Sequence, residues 1–291
     1  MAAAERTFFF FLLALLLLVL PGARSAAAAG QQRKTYSVMD FHAAGEGNTD
    51  DTMAFAATWN ATCRDSSRPT MVIPGGKTFL LSKIRFNGPC KSPITVQLDG
   101  IIVAPNATWT TTPANLLTFY RVDNLTVQGS GQIDGRGPIW WTCFNQKKCK
   151  VRPILLAFVI CNNLSVRNIH LKDSPDKHMT LLGCSQVRVN NVSVTAPGNS
   201  PNTDGINMAR SDHVHISSCT IRTGDDCISI LSNTTDVNIT DIKCGPGHGI
   251  SLGSLGGDSS PALVERITVS NCSFFRTLTG VRIKSWQGGS C

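Results

Sequence analysis

Apolar and polar residues alternate in short bursts along most of this chain: DNLTV from Asp123, NNLSV from Asn162, SQVRVNNVSV from Ser185, DHVHI from Asp212 and DVNIT from Asp236. Alternation with a period of two describes a short strand with one face inside. The leading apolar residues Leu164, Val187, Val214, Val237 and Ile267 lie 23, 27, 23 and 30 residues apart, with Gly, Pro, Asn and Ser between them. A repeat of that length, holding two or three strands, predicts a solenoid, because one repeat cannot bury its own apolar face and stacked repeats can. The expected fold is all-β: a single-stranded right-handed parallel β-helix with inward Val, Ile and Leu as its core, its hand following the general preference of parallel crossovers.

Ahead of the repeats the spacing turns helical. TDDTMAFAATWNATC from Thr49 reads as a capped helix, with Asp50 or Asp51 at its N-terminus and Met53, Phe55, Ala56 and Trp59 along its apolar stripe, placed to cover the first coil. Cysteines also obey the repeat. Cys161 and Cys184 each lie three residues before a leading apolar residue, and Cys219 and Cys272 each lie five after one, as small interior ladder residues.

At the start of the chain Arg6 is followed by an unbroken apolar run from Phe8 to Leu20 and then Pro-Gly-Ala-Arg-Ser-Ala, which predicts a secretory signal peptide over residues 1–25. The run is shorter than the ~20 apolar residues of a membrane-spanning helix. Residues 26–291 are then expected to form one secreted β-helix domain, a monomer with no linker inside it.

Composition narrows the partners. With 27 Lys+Arg against 19 Asp+Glu, the formal net charge is +8, which suits an acidic polysaccharide. The basic residues are scattered, no nucleic-acid motif occurs, and export leads to the wrong compartment, so nucleic acid is excluded as a partner. Eleven cysteines in an exported chain imply disulfides and leave an odd one over. Cys143 and Cys149 are placed to close a small loop, Cys63 and Cys90 to staple the N-terminal region, and Cys227 and Cys244 flank the segments discussed next. Neither Cys-x-x-Cys spacing nor a His/Cys cluster occurs, so neither a metal nor a cofactor is expected. GSGQIDG at Gly129 lacks the βαβ context of a dinucleotide site, and Trp140 and Trp141 read either as a sugar-stacking surface or as core, with core slightly favoured. Eight Asn-x-Ser/Thr sequons occur, at Asn60, Asn106, Asn124, Asn163, Asn191, Asn233, Asn238 and Asn271; because several fall within the strand phrase, only some are expected to be exposed.

Three segments carry chemistry: SPNTDGINMA from Ser200, RTGDDCISIL from Arg222 and PGHGISLGSL from Pro246. Asp204, Asp226 and His248 recur at an interval of 22 residues, each ahead of an apolar strand. In stacked coils they would form a column with steps of about 4.7–4.9 Å. Asp225 adds a third carboxylate, and mutual repulsion should push at least one carboxyl upward, yielding an acid and a base in one cleft. Farther on, TGVRIK turns Arg282 and Lys284 to one face, where they lower a carboxylate pKa or bind a substrate carboxylate. A single NTDG would be an ordinary turn; three in register, followed by a cationic strand, are more than that.

The set SPNTDG, GDDC, GHG and RIK resembles the four signature motifs of plant polygalacturonases, glycoside hydrolase family 28, in order and spacing, and the likeness extends from YSVMDFHAAGEGNTDDT through GSGQIDGRGPIWW to RIKSWQGGS. The resemblance implies metal-free hydrolysis of α-1,4-galacturonosyl bonds in de-esterified pectin, with inversion, by a cell-wall enzyme. It implies Asp225 as general acid, Asp204 and Asp226 as activators of water, and His248 as tuner of the acid. It further implies that Arg282 and Lys284 hold the galacturonate carboxylate, that Asn202 contacts substrate, and that a Cys227–Cys244 disulfide ties the two catalytic coils. Carboxylates one coil apart are closer than the about 6.5–9.5 Å of inverting enzymes, so inversion rests on the resemblance alone.

The chain departs from that family by stopping at Cys291, seven residues after Lys284, where the family continues for several coils and supplies a tyrosine. This predicts a terminal coil with an open edge, as in a truncated β-helix. The alternative function is accordingly a catalytically inactive β-helix that binds pectin or folds poorly. A pectate lyase on the same fold would need calcium-binding carboxylates, and the motif set argues against it.

Overall fold

The computed structural model describes residues 33–109, 115–257 and 260–287; the signal-peptide segment and Cys291 lie outside them. Three parallel sheets run along the chain. Sheet I has nine strands, from Thr35–Ser37 to Val264–Ser270; sheet II has nine, from Glu46–Asp50 to Ser273–Phe274; sheet III has eight, from Ile84–Asn87 to Val281–Ser285. Strands adjacent in a sheet come from successive coils, giving the parallel β-helix that the repeat predicts.

The repeat read from sequence is one row of sheet I. Leu164 pairs with Val187, Val187 with Val214, Val214 with Val237 and Val237 with Ile267. The first four are buried, as are Val166, Val189, Ile216 and Ile239 one alternation farther on. Burying such a side chain contributes about 1.5–3 kcal/mol. One coil offers too few of them to offset the entropy of ordering its backbone, so stability is a property of the stack. In the last coil described, Val281 and Ile283 keep the inward register of buried Ile250 but are 50% and 75% exposed, with no further described coil over them.

Helix α1 spans Thr52–Cys63 and caps the first coil. Its buried face is Ala54, Phe55, Thr58, Trp59 and Thr62. Met53, expected on that face, is 79% exposed, because the stripe starts one residue later. Phe55 packs edge-on against Phe79, and Trp59 meets Phe86 and Phe119. Asp51 stands at the N-terminus, yet its carboxylate accepts from the backbone N–H groups of Ala44 (2.6 Å) and Gly45 (3.2 Å), tying the preceding loop down instead of capping the helix.

A second helix, α2 (Pro138–Asn145), buries both tryptophans, and Trp141 Nε1 donates to Ser174 O at 3.1 Å. Disulfides join Cys63 to Cys90, Cys143 to Cys149 and Cys227 to Cys244. Cys161, Cys184 and Cys219 are buried interior thiols, while Cys272 is half-buried.

The expectation about sequons is corrected: all eight asparagines are exposed. Asn124, Asn163, Asn191, Asn233 and Asn271 sit at bends with positive φ, a conformation that asparagine tolerates and that turns its side chain outward.

Candidate active site

Sheet III carries the site. Asp204, Asp226 and His248 each stand two residues ahead of a strand: Ile206–Ala209, Ile228–Ile230 and Ile250–Leu255. Ile206 pairs with Ile228 and Ile228 with Ile250, so the constant interval is a strand register. Close backbone approach at these turns demands glycine. A Cβ on Gly224 would lie 2.0 Å from Ser200 O, and Gly249, at φ +92°, would place one 2.2 Å from Thr279 O.

The side chains do not form the simple column that the spacing suggests. Asp226, 1% exposed, turns toward the next coils: Oδ1 accepts from Ser251 Oγ (2.7 Å) and Arg282 Nη2 (2.8 Å), and Oδ2 accepts from Lys284 Nζ (2.7 Å). His248 turns instead to Asp225, with Nδ1 2.9 Å from Oδ1. Its backbone N–H donates to Asp225 O at 2.7 Å, and Thr279 Oγ1 donates to its carbonyl at 2.6 Å. The close trio is therefore Asp225, Asp226 and His248, whose nearest ligand atoms all lie within 4.8 Å of one another.

Asp204 stands in a different setting. It is buried, and Asn207 Nδ2 donates to its Oδ2 at 3.0 Å. Burial first, and the charge of Asp225 second, push its carboxyl up to about 7. Asp226 shifts the other way: its burial is outweighed by hydrogen bonds from Lys284, Ser251 and Arg282, which hold it below the usual carboxylate range. The expectation that one acid is pushed up holds, with desolvation ahead of repulsion as the cause. Of the two uses considered for Arg282 and Lys284, the one visible here is neutralising Asp226.

Asn202 lies at the tip of the first motif, at φ +55°. Its Nδ2 reaches Asp225 Oδ2 at 3.4 Å, and its Oδ1 accepts from Arg152 Nη2 at 2.7 Å. Arg152 was not legible in the sequence. Its buried guanidinium also donates to Pro175 O (3.0 Å) and Pro201 O (2.7 Å), lies 3.6 Å from Asp176 and stacks over Phe144. One fork thus fixes the turn leading into Asp204, across 49 residues of chain, and nothing local announces that contact.

Two more residues could have been found from the coil period. His178, fully buried, lies one coil before Asp204; its Nδ1 is 3.1 Å from Asp204 O, its Nε2 accepts from Ser174 N (3.2 Å), and burial pushes its pKa down to about 4. Asn207 follows from the alternation after Asp204. The buried Oδ1 of Asn207 and Oγ1 of Thr180, its partner in register, have no hydrogen-bond partner among the described residues.

A cation placed among Asp225, Asp226 and His248 would compete with Arg282 and Lys284, which already engage both Asp226 oxygens. The three carboxylates, one buried with its pKa pushed up to about 7, one ion-paired and one between His248 and Asn202, suit proton transfer without a metal.

The sequence model of Glycosyl hydrolases family 28 matches residues 63–291. The chain is 43% identical over 255 residues to a probable polygalacturonase of Arabidopsis thaliana, covering 87% of this chain and 55% of the relative. It is 43% identical over 267 residues to a polygalacturonase of Malus domestica, covering 88% and 57%. The chain thus spans little more than half the length of these curated relatives. Its fold is similar to that of the endo-xylogalacturonan hydrolase from Aspergillus tubingensis, with a TM-score of 0.79 at 26% identity, covering 88% of this chain and 69% of that one.

Proposed function

The chain belongs to glycosyl hydrolases family 28, and on that premise we propose that it hydrolyses α-1,4-galacturonosyl bonds of de-esterified pectin, as a secreted, monomeric plant cell-wall enzyme formed by residues 26–291. The observation that carries this reading is the juxtaposition of three carboxylates in three settings: Asp204 buried against Asn207, Asp226 paired with Arg282 and Lys284, and Asp225 between His248 and Asn202.

Asp225 donates the proton to the leaving glycosidic oxygen; His248 and Asn202 hold its two carboxylate oxygens and so fix its direction. Asp226, kept ionised by Arg282 and Lys284, takes the proton from the attacking water. Asp204 carries its proton below about pH 7 and still offers a carbonyl oxygen to the second hydrogen of that water. The two acids thereby hold the nucleophile between them while bearing a single negative charge. Asn202, Arg282 and Lys284 also face the substrate: Arg282 has donors beyond those spent on Ser251 and Asp226, and Lys284 has two more protons, which can meet a galacturonate carboxylate.

Support for a polymeric substrate comes from the outward row of sheet III. From Arg282 it passes through Ser251, Ser229, Asn207, Thr180, Ala157 and Thr118 to Arg85, small side chains, all polar except Ala157, between two cations. The relatives bear the name polygalacturonase, which supports an acidic chain in that row.

The test is release of reducing ends from de-esterified polygalacturonate by the protein and by Asp225→Asn, with the anomer of the first product followed by NMR. Release by the parent, its loss in the variant, and inverted anomers are expected. Folded parent protein that releases nothing would favour a pectin-binding β-helix without catalysis.

A further inference from the structure

Away from the carboxylates, on the outward face of sheet I, a cavity of about 320 Å³ opens between Arg33, Arg68 and Arg167. Its floor is two rows of polar side chains set by register: Thr70, Thr95 and Thr126 in one, Gln97, Gln128 and Arg167 in the other. Neighbours in each row are one strand spacing apart, about 4.7–4.9 Å.

The second row is internally bonded. Arg167 Nε donates to Gln128 Oε1 (2.8 Å), Gln128 Nε2 to Gln97 Oε1 (2.9 Å), and Gln97 Nε2 to Asp99 (2.9 Å). All donors therefore point one way, so Arg167 stands at one end and Asp99 at the other. Gln97, Gln128 and Arg167 also line a second cavity of about 440 Å³, which Asp99 borders as well.

Arg33 and Arg68 are exposed, and their side chains make no hydrogen bond or ion pair among the described residues; Arg167 has only the neutral Gln128. The carboxylates nearby are engaged elsewhere: Asp65 by Tyr36 Oη (2.8 Å) and Ser67 N (2.7 Å), Asp123 by Asn162 N (2.9 Å), and Asp99 by Gln97 and Ser130 N (3.0 Å). Three guanidinium groups thus border a polar cavity whose own lining holds no carboxylate, and none of them is ion-paired among the described residues. That lining suits an anion with hydroxyl groups beside it.

We infer that this face is a second binding site for an acidic polysaccharide, distinct from the site on sheet III, which retains the protein on the polymer while another stretch is cleaved. Uronate carboxylates meet Arg33, Arg68 and Arg167, and ring hydroxyls meet the Thr and Gln rows and, farther along, Asp99. A single-stranded nucleic acid fits less well, because no aromatic side chain lines the cavity to stack a base. The inference rests on the proposed function only for the identity of the polymer.

The experiment is affinity electrophoresis in gels containing polygalacturonate, in the Asp225→Asn background so that the polymer stays intact. Protein without N-glycans is used, because Asn124 of a sequon lines the cavity. Arg33→Glu with Arg68→Glu should raise the apparent Kd about tenfold or more, and the residual retardation should be less sensitive to salt. In the parent background the same pair of substitutions should leave the hydrolysis rate of a soluble galacturonate trimer unchanged.

Unchanged retardation overturns the inference. So does a parallel loss of trimer hydrolysis, which would place the arginines in the cleavage site or in folding, and so does equal retardation by fully methyl-esterified pectin or stronger competition from single-stranded DNA. If the parent cleaves nothing but retardation depends on Arg33 and Arg68, the proposed hydrolysis fails and this site stands.

Discussion

Two adjacent coils of sheet III hold a carboxylate at the same register position, and the two titrate in opposite directions. Asp204 meets an amide, a buried histidine beneath its backbone and, among the described residues, no hydrogen-bonded cation; its carboxyl rises to about 7. Asp226 is as deeply enclosed but meets a hydroxyl and two cations, and its carboxyl falls. Register places a side chain, and the outward residues of the following coils decide its charge. The solenoid thus builds an unlike pair from a repeated element.

The largest effect should come from removing what makes the Asp226 coil different. Arg282→Met with Lys284→Met leaves a buried, unpaired carboxylate, for which a loss of about 3–5 kcal/mol is expected. Urea midpoints at pH 7 measure it, and a change below ~1 kcal/mol would mean that Asp226 has other compensation.

The Asp204 coil is probed by pH. A carboxyl with a raised native pKa makes the folded state bind more protons than the unfolded one, so its stabilisation is complete below the unfolded value near 4 and is lost as pH rises through about 7. At about 1.4 kcal/mol per pH unit this amounts to about 4 kcal/mol across the window. Asp204→Asn should gain on the parent by roughly that much between pH 4 and pH 7. Asp226, with its pKa depressed, has the opposite sign: its stabilisation persists above pH 4 and fades as pH falls through the lowered value. A parent-to-variant difference for Asp204→Asn that stays flat with pH would contradict this assignment.

Cys227 follows Asp226 directly, and its disulfide ties that coil to the strand Lys243–Cys244. Replacing both cysteines with alanine should cost about 3 kcal/mol for a loop of this size, measured as a shift in the urea midpoint, with the Asp204 pH window left in place.

The smallest effect is expected at Arg152, which acts on the Asp204 turn from a distance. Arg152→Lys keeps the charge but loses the planar fork, so about a tenfold fall in kcat/KM with a displaced alkaline limb of the pH profile is expected, through Asn202 and the general acid Asp225. An unaltered pH profile would reduce Arg152 to a structural support.

Much of the molecule was legible because a solenoid repeats. The row from Leu164 to Ile267 was readable as spacing and proved to be a register. The interval linking Asp204, Asp226 and His248 was readable too, as was the shared face of Arg282 and Lys284. Less regular positions were not. Met53 shared the spacing of the buried face of α1 yet lies outside it, and five of the eight sequon asparagines stand at bends with positive φ, which alternation does not encode.

The sequence by itself determined the coil, its inward residues and the alignment of the three motifs, since each depends on a period that the chain writes many times. Only the tertiary structure decided which carboxylate is pushed up and which is held down, that both cations engage Asp226, and that Arg152 holds Asn202. Those outcomes depend on burial and on contacts between side chains far apart in the chain. Such terms change over a few ångströms and have no periodic trace in the order of residues.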